Sequence, residues 1–191
     1  MEIELAGAGV ALAGDINPIA EAALAALLAN GGRSVSAQDA DVLLISCPLL
    51  PDAAHMGLSA TLRPAREAAT SMAGRGKGRI IVLLSAIAGM PMRRHPEFSA
   101  ETAGLLAGMR TMAMEFGPKV LVNAVGFGLV ETAATISGDR AQLSHVPLGR
   151  PGSIDEAVAA VLFLCDPMNS YTTGQMLVVD GGWSAGYGRN F

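Results

Sequence analysis

The sequence alternates short, continuous apolar runs with longer helical stretches. Five runs have the aliphatic and β-branched composition of strands, at residues 10–13, 42–45, 80–84, 120–125 and 176–179. Continuous apolar runs are typical of strands buried on both faces of a parallel sheet. We therefore predict an α/β fold with a shortened, Rossmann-type, doubly wound parallel sheet. Residues 1–191 are expected to form a single domain.

Two helices have strong end signals. Residues 19–29 follow Asn17, a favoured capping residue, and Pro18, which suits the first helical position. Ser153 and Glu156 have the spacing of a capping box, in which each side chain binds the other residue's backbone N–H. The second helix is expected to run from this box towards Asp166.

Composition limits the partners of the chain. There are 13 Lys and Arg residues against 17 Asp and Glu residues, and only 16% of residues are charged while 51% are hydrophobic. No basic cluster could neutralise a row of phosphates, so we expect no nucleic acid partner. The low fraction of charged residues predicts that another protein covers part of the surface.

Compartment and metal content can also be predicted. Glu2 and Glu4 stand where a signal peptide would be basic, and no apolar run approaches the roughly 18 residues that span a bilayer. We expect a cytoplasmic protein with no membrane association. Cys47 and Cys165 are isolated in apolar segments, which predicts two buried thiols, no disulfide and no metal site.

Several segments carry a family pattern, at residues 78–89, 98–104, 122–132, 147–152 and 173–182. Together they resemble the short-chain dehydrogenases/reductases. The resemblance implies hydride exchange between a nicotinamide cofactor and an alcohol or ketone. It is close from about residue 78 to residue 183 and looser before that.

The residues that the family uses for catalysis are replaced. Its acid is a tyrosine followed four residues later by a lysine, and the matching residues here are Phe98 and Thr102. The family serine that polarises the substrate oxygen matches Ala86, and its proton-relay asparagine matches Gly57. No Tyr-x-x-x-Lys occurs anywhere in the sequence. The resemblance therefore predicts a chain without independent catalysis.

An alternative active site remains open. Ser85 directly precedes Ala86, and His95 and Glu101 lie nearby, so an active oxidoreductase or lyase could use these three residues. Neighbouring residues at a strand end point to opposite sides, so we expect Ser85 to point away from the site. For His95 and Glu101 the simpler interpretation is an ordinary helix start. Ser99 would cap the helix, and the helix dipole would favour acidic residues in its first turn.

The cofactor turn also departs from the family. Its glycine-rich turn aligns with residues 13–20, where Gly14 is kept, Pro18 and Ala20 replace the other two glycines, and Asp15 adds a negative charge. The distance from Gly14 to Ile45 leaves room for about one βαβ unit where the family has two. We expect no cofactor in this chain, and NAD in a partner subunit.

These losses predict a pseudoenzyme in a hetero-oligomer. The partner would be a catalytically active short-chain dehydrogenase subunit, in a heterodimer or heterotetramer, that oxidises a 3-hydroxyacyl-CoA-type alcohol. A small-ligand-sensing module is the other alternative. The family pairs its subunits through the helix that here carries Met109 and Met112, the helix before it, the helix after Ser153 and the last strand. The candidate interface residues are Met109, Met112, Phe163, Val178, Trp183, Tyr187 and Phe191. The alternative for the C-terminus is a frayed end with Trp183 alone packed on its own domain.

Overall fold

Six parallel strands form one sheet in the computed structural model, which describes residues 1–51, 57–132 and 143–186. The strands are β1 Gly9–Gly14, β2 Arg33–Ser34, β3 Val42–Ser46, β4 Gly78–Ser85, β5 Val120–Phe127 and β6 Met176–Val179. Their order across the sheet is β2-β1-β3-β4-β5-β6. The predicted Rossmann-type sheet is confirmed, and each of the five predicted strands lies within an observed one.

Helices cover both faces of the sheet. Within the described ranges they are α1 Pro18–Ala29, α2 Leu58–Arg75, α3 Pro96–Phe116 and α4 Ile154–Cys165. One buried apolar cluster joins α2 and α3 to the sheet, and a second joins α1 and α4 to the opposite face. None of these helices is long and apolar enough to cross a membrane.

Both predicted helix starts are confirmed. The Oδ1 atom of Asn17 accepts a hydrogen bond from the N–H of Ala20 at 3.0 Å, and Pro18 is the first helical residue of α1. In α4, Ser153 Oγ accepts from the N–H of Glu156 at 3.1 Å, while the Glu156 carboxylate accepts from the N–H of Ser153 at 2.8 Å. These local bonds satisfy N–H groups that have no partner within the helix.

The sheet edge beside β1 is short. Strand β2 has two residues, Arg33 and Ser34, and both are exposed. The chain then goes directly to β3, so only α1 and β2 separate β1 from β3. The expected single βαβ unit is confirmed, although the sequence pattern did not predict β2 because two exposed polar residues form no apolar run.

Helices α2 and α3 pack closely through glycine. A Cβ atom on Gly108 would lie 2.6 Å from Leu62 Cδ1 of α2, closer than carbon atoms can approach. On the same helix Met109 is 0% exposed and Met112 is 4% exposed, because both side chains face the core of their own chain. The prediction that these two methionines lie in a subunit interface is therefore wrong.

The turn after β1 allows no side chain at Gly14. Its φ is +94°, and a Cβ atom there would lie 2.1 Å from the carbonyl oxygen of Ser46. We expect Gly14→Ala to lower the free energy of unfolding by about 2–3 kcal/mol, since it adds both backbone strain and overlap. Chemical denaturation of the purified chain measures this change.

Gly74→Ala is the matched control. Gly74 lies within α2, is exposed, and has open space where a Cβ atom would go. Alanine there should raise the free energy of unfolding by about 0.5–1 kcal/mol, because it favours the helix. Equal effects of the two substitutions would contradict this description of the turn.

Candidate functional site

A cavity of about 440 Å³ opens at the carboxyl ends of the central strands. In open α/β sheets ligands bind in this crevice, where the strand order reverses, and here the order reverses between β1 and β3. Its walls are mainly apolar and include Ile19, Leu49, Ile87, Phe127 and Leu129. The cavity is the candidate site of this fold.

Asn17 connects the three elements on the β1 side of the cavity. Its Nδ2 atom donates to Asp15 Oδ2 at 3.0 Å and to Ser46 Oγ, at the end of β3, at 2.9 Å. Its Oδ1 atom accepts from the N–H of Ala20 in α1. The backbone N–H of Asp15 donates to the carbonyl of Ser46 at 2.8 Å. One side chain therefore joins both strand ends to the start of the helix.

The start of α1 does not fit the pyrophosphate of a dinucleotide. Binding would require free N–H groups at the first turn of the helix. Pro18 has no N–H group, and the N–H of Ala20 already donates to Asn17. Asp15 adds a carboxylate to the cavity wall, where it would repel a phosphate. No Lys or Arg lines the cavity in the described part of the chain.

Ser85 and Ala86 both line the cavity. The expectation that Ser85 points away is wrong, because a 3-10 turn over Ala86–Ala88 begins directly after Ser85 and ends the alternation of the strand. Ser85 is only 4% exposed.

The residues at the family's tyrosine and lysine positions lie in the protein interior. Phe98 is buried, and Thr102 is buried one turn later on α3. The Thr102 hydroxyl donates to the carbonyl of Phe98 at 2.8 Å, so the backbone of its own helix occupies it. Neither residue lines the cavity. Gly57, at the family's asparagine position, donates its N–H to Glu101 Oε1 at 2.7 Å.

The three residues of the alternative active site do not all line the cavity. Ser85 lines the cavity, whereas His95 and Glu101 are not among its lining residues. Ser99 is not the cap of α3, because the helix begins at Pro96 and places Ser99 inside its first turn. Ser99 Oγ instead accepts from the N–H of Met92 at 3.0 Å and fixes the preceding loop.

The candidate interface residues have different environments. Phe163 on α4 is 45% exposed, and Val178 on β6 is half-buried. Trp183 lines the cavity of its own chain, which agrees with the alternative that this residue packs on its own domain. Tyr187 and Phe191 lie outside the described residues.

The two cysteines are buried thiols, as predicted. Removal from water raises the pKa of Cys47 to about 12, with Glu101 and Asp15 adding to the effect. Burial likewise raises the pKa of Cys165 to about 12. Both thiols stay protonated at neutral pH and are poor nucleophiles. Across the described ranges, no three His, Cys, Asp or Glu residues come together as metal ligands.

Comparison with protein families identifies the class. Residues 20–184 match the family model described as Enoyl-(Acyl carrier protein) reductase. The chain belongs to the short-chain dehydrogenase/reductase family. It is 34% identical over 132 residues to the 3-oxoacyl-[acyl-carrier-protein] reductase FabG of Aquifex aeolicus, covering 66% of this chain and 53% of the relative. For the Escherichia coli FabG the identity is 32% over 136 residues, covering 69% and 56%. The chain thus spans about half the length of the curated relatives it matches.

Solved structures share the fold. An NADPH-bound short chain oxidoreductase of Pseudomonas aeruginosa PAO1, described as containing an atypical catalytic center, aligns with a TM-score of 0.75 and 23% identity, over 96% of this chain and 99% of that chain. Ligand-free aldohexose dehydrogenase of Thermoplasma acidophilum aligns with a TM-score of 0.78 and 15% identity, over 99% of each. At these identities the likeness concerns the fold alone.

We expect the purified chain not to bind NADH or NADPH measurably. The physical reason is the start of α1, where Pro18 lacks an N–H, Asn17 occupies that of Ala20, and Asp15 is negative. Isothermal titration calorimetry checks this expectation, with an active FabG as the positive control. A micromolar dissociation constant for either nucleotide would contradict it.

Proposed function

We propose that this chain is the non-catalytic subunit of a hetero-oligomeric, NAD-dependent short-chain alcohol dehydrogenase in the cytoplasm. The observation that carries the proposal is the start of α1, where Asn17, Asp15 and Pro18 leave no place for a pyrophosphate. Hydride transfer needs a bound nicotinamide, so the cofactor belongs to the partner subunit.

The chain has no suitable proton donor or acceptor at the positions of the family's catalytic tyrosine and lysine. Phe98 has no ionisable oxygen, and the hydroxyl of Thr102 is bonded to its own helix. A positioned general acid or base contributes about 10²–10⁴-fold to a rate. The cavity therefore supports binding better than it supports alcohol oxidation.

The surface beside β6 supports a protein partner. Phe163 on α4 is 45% exposed, and the segment that joins α4 to β6 exposes Met168 at 87% and Tyr171 fully. Leu177 of β6 itself is 37% exposed, and β6 is an edge strand of the sheet. Aromatic residues and Met are enriched in interfaces. We propose this α4–β6 surface as the contact with the partner.

The proposed substrate class rests on resemblance. The chain resembles the non-catalytic subunit of hydroxy(phenyl)methyl-succinyl-CoA dehydrogenase, from anaerobic toluene degradation. The relatives named above are 3-oxoacyl-[acyl-carrier-protein] reductases. Reduction of a 3-oxoacyl thioester yields a 3-hydroxyacyl thioester, and the proposed complex oxidises an alcohol of that type. The partner subunit performs the chemistry.

Co-expression with a short-chain dehydrogenase encoded beside this chain tests the proposal. We expect the two subunits to co-purify, and we expect NAD-dependent oxidation of a 3-hydroxyacyl-CoA by the complex. Phe163→Glu should weaken assembly at least about tenfold, because it places a charge in an apolar contact. Analytical ultracentrifugation measures assembly.

Leu28→Glu is the matched control. Leu28 is a 38% exposed apolar residue on α1, outside the α4–β6 surface. This substitution should leave assembly unchanged. Turnover by the purified chain alone, or equal effects of the two substitutions, would contradict the proposed function.

A further inference from the structure

The segment that joins α4 to β6, residues 166–175, is held at both of its ends by residues of β4 and β5. At the first end, the guanidinium of Arg79 on β4 donates to three backbone carbonyl groups. Its Nη1 atom donates to Asn169 at 2.8 Å and to Leu164 at 3.3 Å, and its Nη2 atom donates to Pro167 at 3.3 Å. The last carbonyl groups of a helix have no partner within it, so the same cation also stabilises the end of α4.

The second end of the segment is fixed by β5. Asn123 is fully buried on this strand, and its Nδ2 atom donates to the carbonyl of Thr172 at 2.8 Å. Its Oδ1 atom accepts from the N–H of Gln175 at 3.0 Å. The N–H of the preceding residue, Val122, donates to Thr173 Oγ1 at 3.1 Å. Two neighbouring residues of β5 therefore bind three residues of the segment.

Between its two ends the segment presents large side chains to solvent. Tyr171 is fully exposed and Met168 is 87% exposed, and both belong to the α4–β6 surface. A segment that is already fixed loses little further conformational freedom when a partner covers it, which raises the affinity. Aromatic residues and Met are the side chains that interface cores favour. The segment therefore has the properties of a preformed binding element.

The chemistry of the segment fits an apolar protein surface. From Pro167 to Val179 the sequence has no charged residue. The carboxylate of Asp166, just before this stretch, accepts from the N–H of Met168 at 2.9 Å. Membrane surfaces and nucleic acids attract proteins through Lys and Arg, and the guanidinium of Arg79 already binds carbonyl groups. These residues therefore favour a protein partner with an apolar recess.

We propose that Arg79 and Asn123 are positioning residues for assembly, which hold Met168 and Tyr171 as preformed anchors for the partner subunit. The inference rests on the proposed function, because the anchors bind the dehydrogenase subunit of that complex. Arg79 acts only through the backbone of the segment, so its effect on assembly depends on the presence of the anchors.

Hydrogen exchange in the purified chain tests the positioning role without the partner. Arg79→Lys keeps the positive charge and removes the planar group that reaches several carbonyl groups at once. We expect exchange at the N–H groups of residues 168–170 to become at least about tenfold faster, while the middle of α4 keeps its protection. Mass spectrometry of peptides from the labelled chain measures both rates.

Assembly is measured by analytical ultracentrifugation with the co-expressed short-chain dehydrogenase encoded beside this chain. Tyr171→Ala removes an anchor and Arg79→Lys loosens it, and each should weaken association at least about tenfold. In the double variant the loss should be smaller than the product of the two single losses, because Arg79 acts through the anchors. Thr173→Val removes a hydroxyl that accepts from β5 and should weaken association in the same direction.

Two control variants match these changes. The guanidinium of Arg75 likewise donates to the carbonyl groups of Gln38 and Ala40, in the loop before β3, so Arg75→Lys makes the same chemical change far along the chain from the segment. Leu28→Ala removes a 38% exposed apolar side chain from α1. Neither variant should change assembly or the exchange of residues 168–170.

The inference is overturned, and the proposed function is kept, if the Tyr171→Ala complex forms with unchanged affinity. Equal effects of Arg79→Lys and Arg75→Lys on assembly, or fully multiplicative losses in the double variant, would also overturn it. Binding of the purified chain to phosphatidylcholine vesicles would show that the anchors serve a membrane and would overturn it as well. Failure of the two subunits to co-purify would contradict the proposed function and this inference together.

Discussion

The side chain of Asn17 is the interaction on which the candidate site depends. It caps α1 through Ala20, and it joins the turn after β1 to the end of β3 through Asp15 and Ser46. The bond that caps the helix also occupies the N–H of Ala20, one of the groups that could otherwise meet a phosphate. One side chain thus stabilises the start of the helix and takes part in the lack of fit to a dinucleotide's pyrophosphate.

Close backbone contact supports this arrangement. Gly14 lies so near the carbonyl of Ser46 that no larger residue fits there. The missing side chain lets the ends of β1 and β3 lie close together. The parallel sheet then brings Asp15 and Ser85 to the same edge, on either side of an apolar space. The family fold thus keeps its crevice, and among the described residues no Lys or Arg lines it.

Local signals in the sequence predicted much of the fold. The five longer strands are continuous apolar runs, and the starts of α1 and α4 have side chains that bind nearby N–H groups. Strand β2 could not be predicted, since its two residues are stabilised only by pairing with β1. Met109 and Met112 were misassigned because an apolar residue on a helix suits a core and an interface equally well.

The candidate site was less predictable than the fold. The substitutions at residues 98 and 102 are visible in the sequence, but the direction of Ser85 depends on the 3-10 turn that follows it. The position of Trp183 depends on how the chain turns after β6. These features arise from the packing of distant segments, which periodicity does not describe.

The number of nicotinamide cofactors bound by the assembled complex tests the central claim most directly. Equilibrium titration of the purified complex with NADH, followed by nucleotide fluorescence, measures this number. If this chain has no dinucleotide site, the complex binds one NADH for each pair of unlike subunits. Two NADH molecules per pair would show that this chain holds a cofactor and would contradict the account.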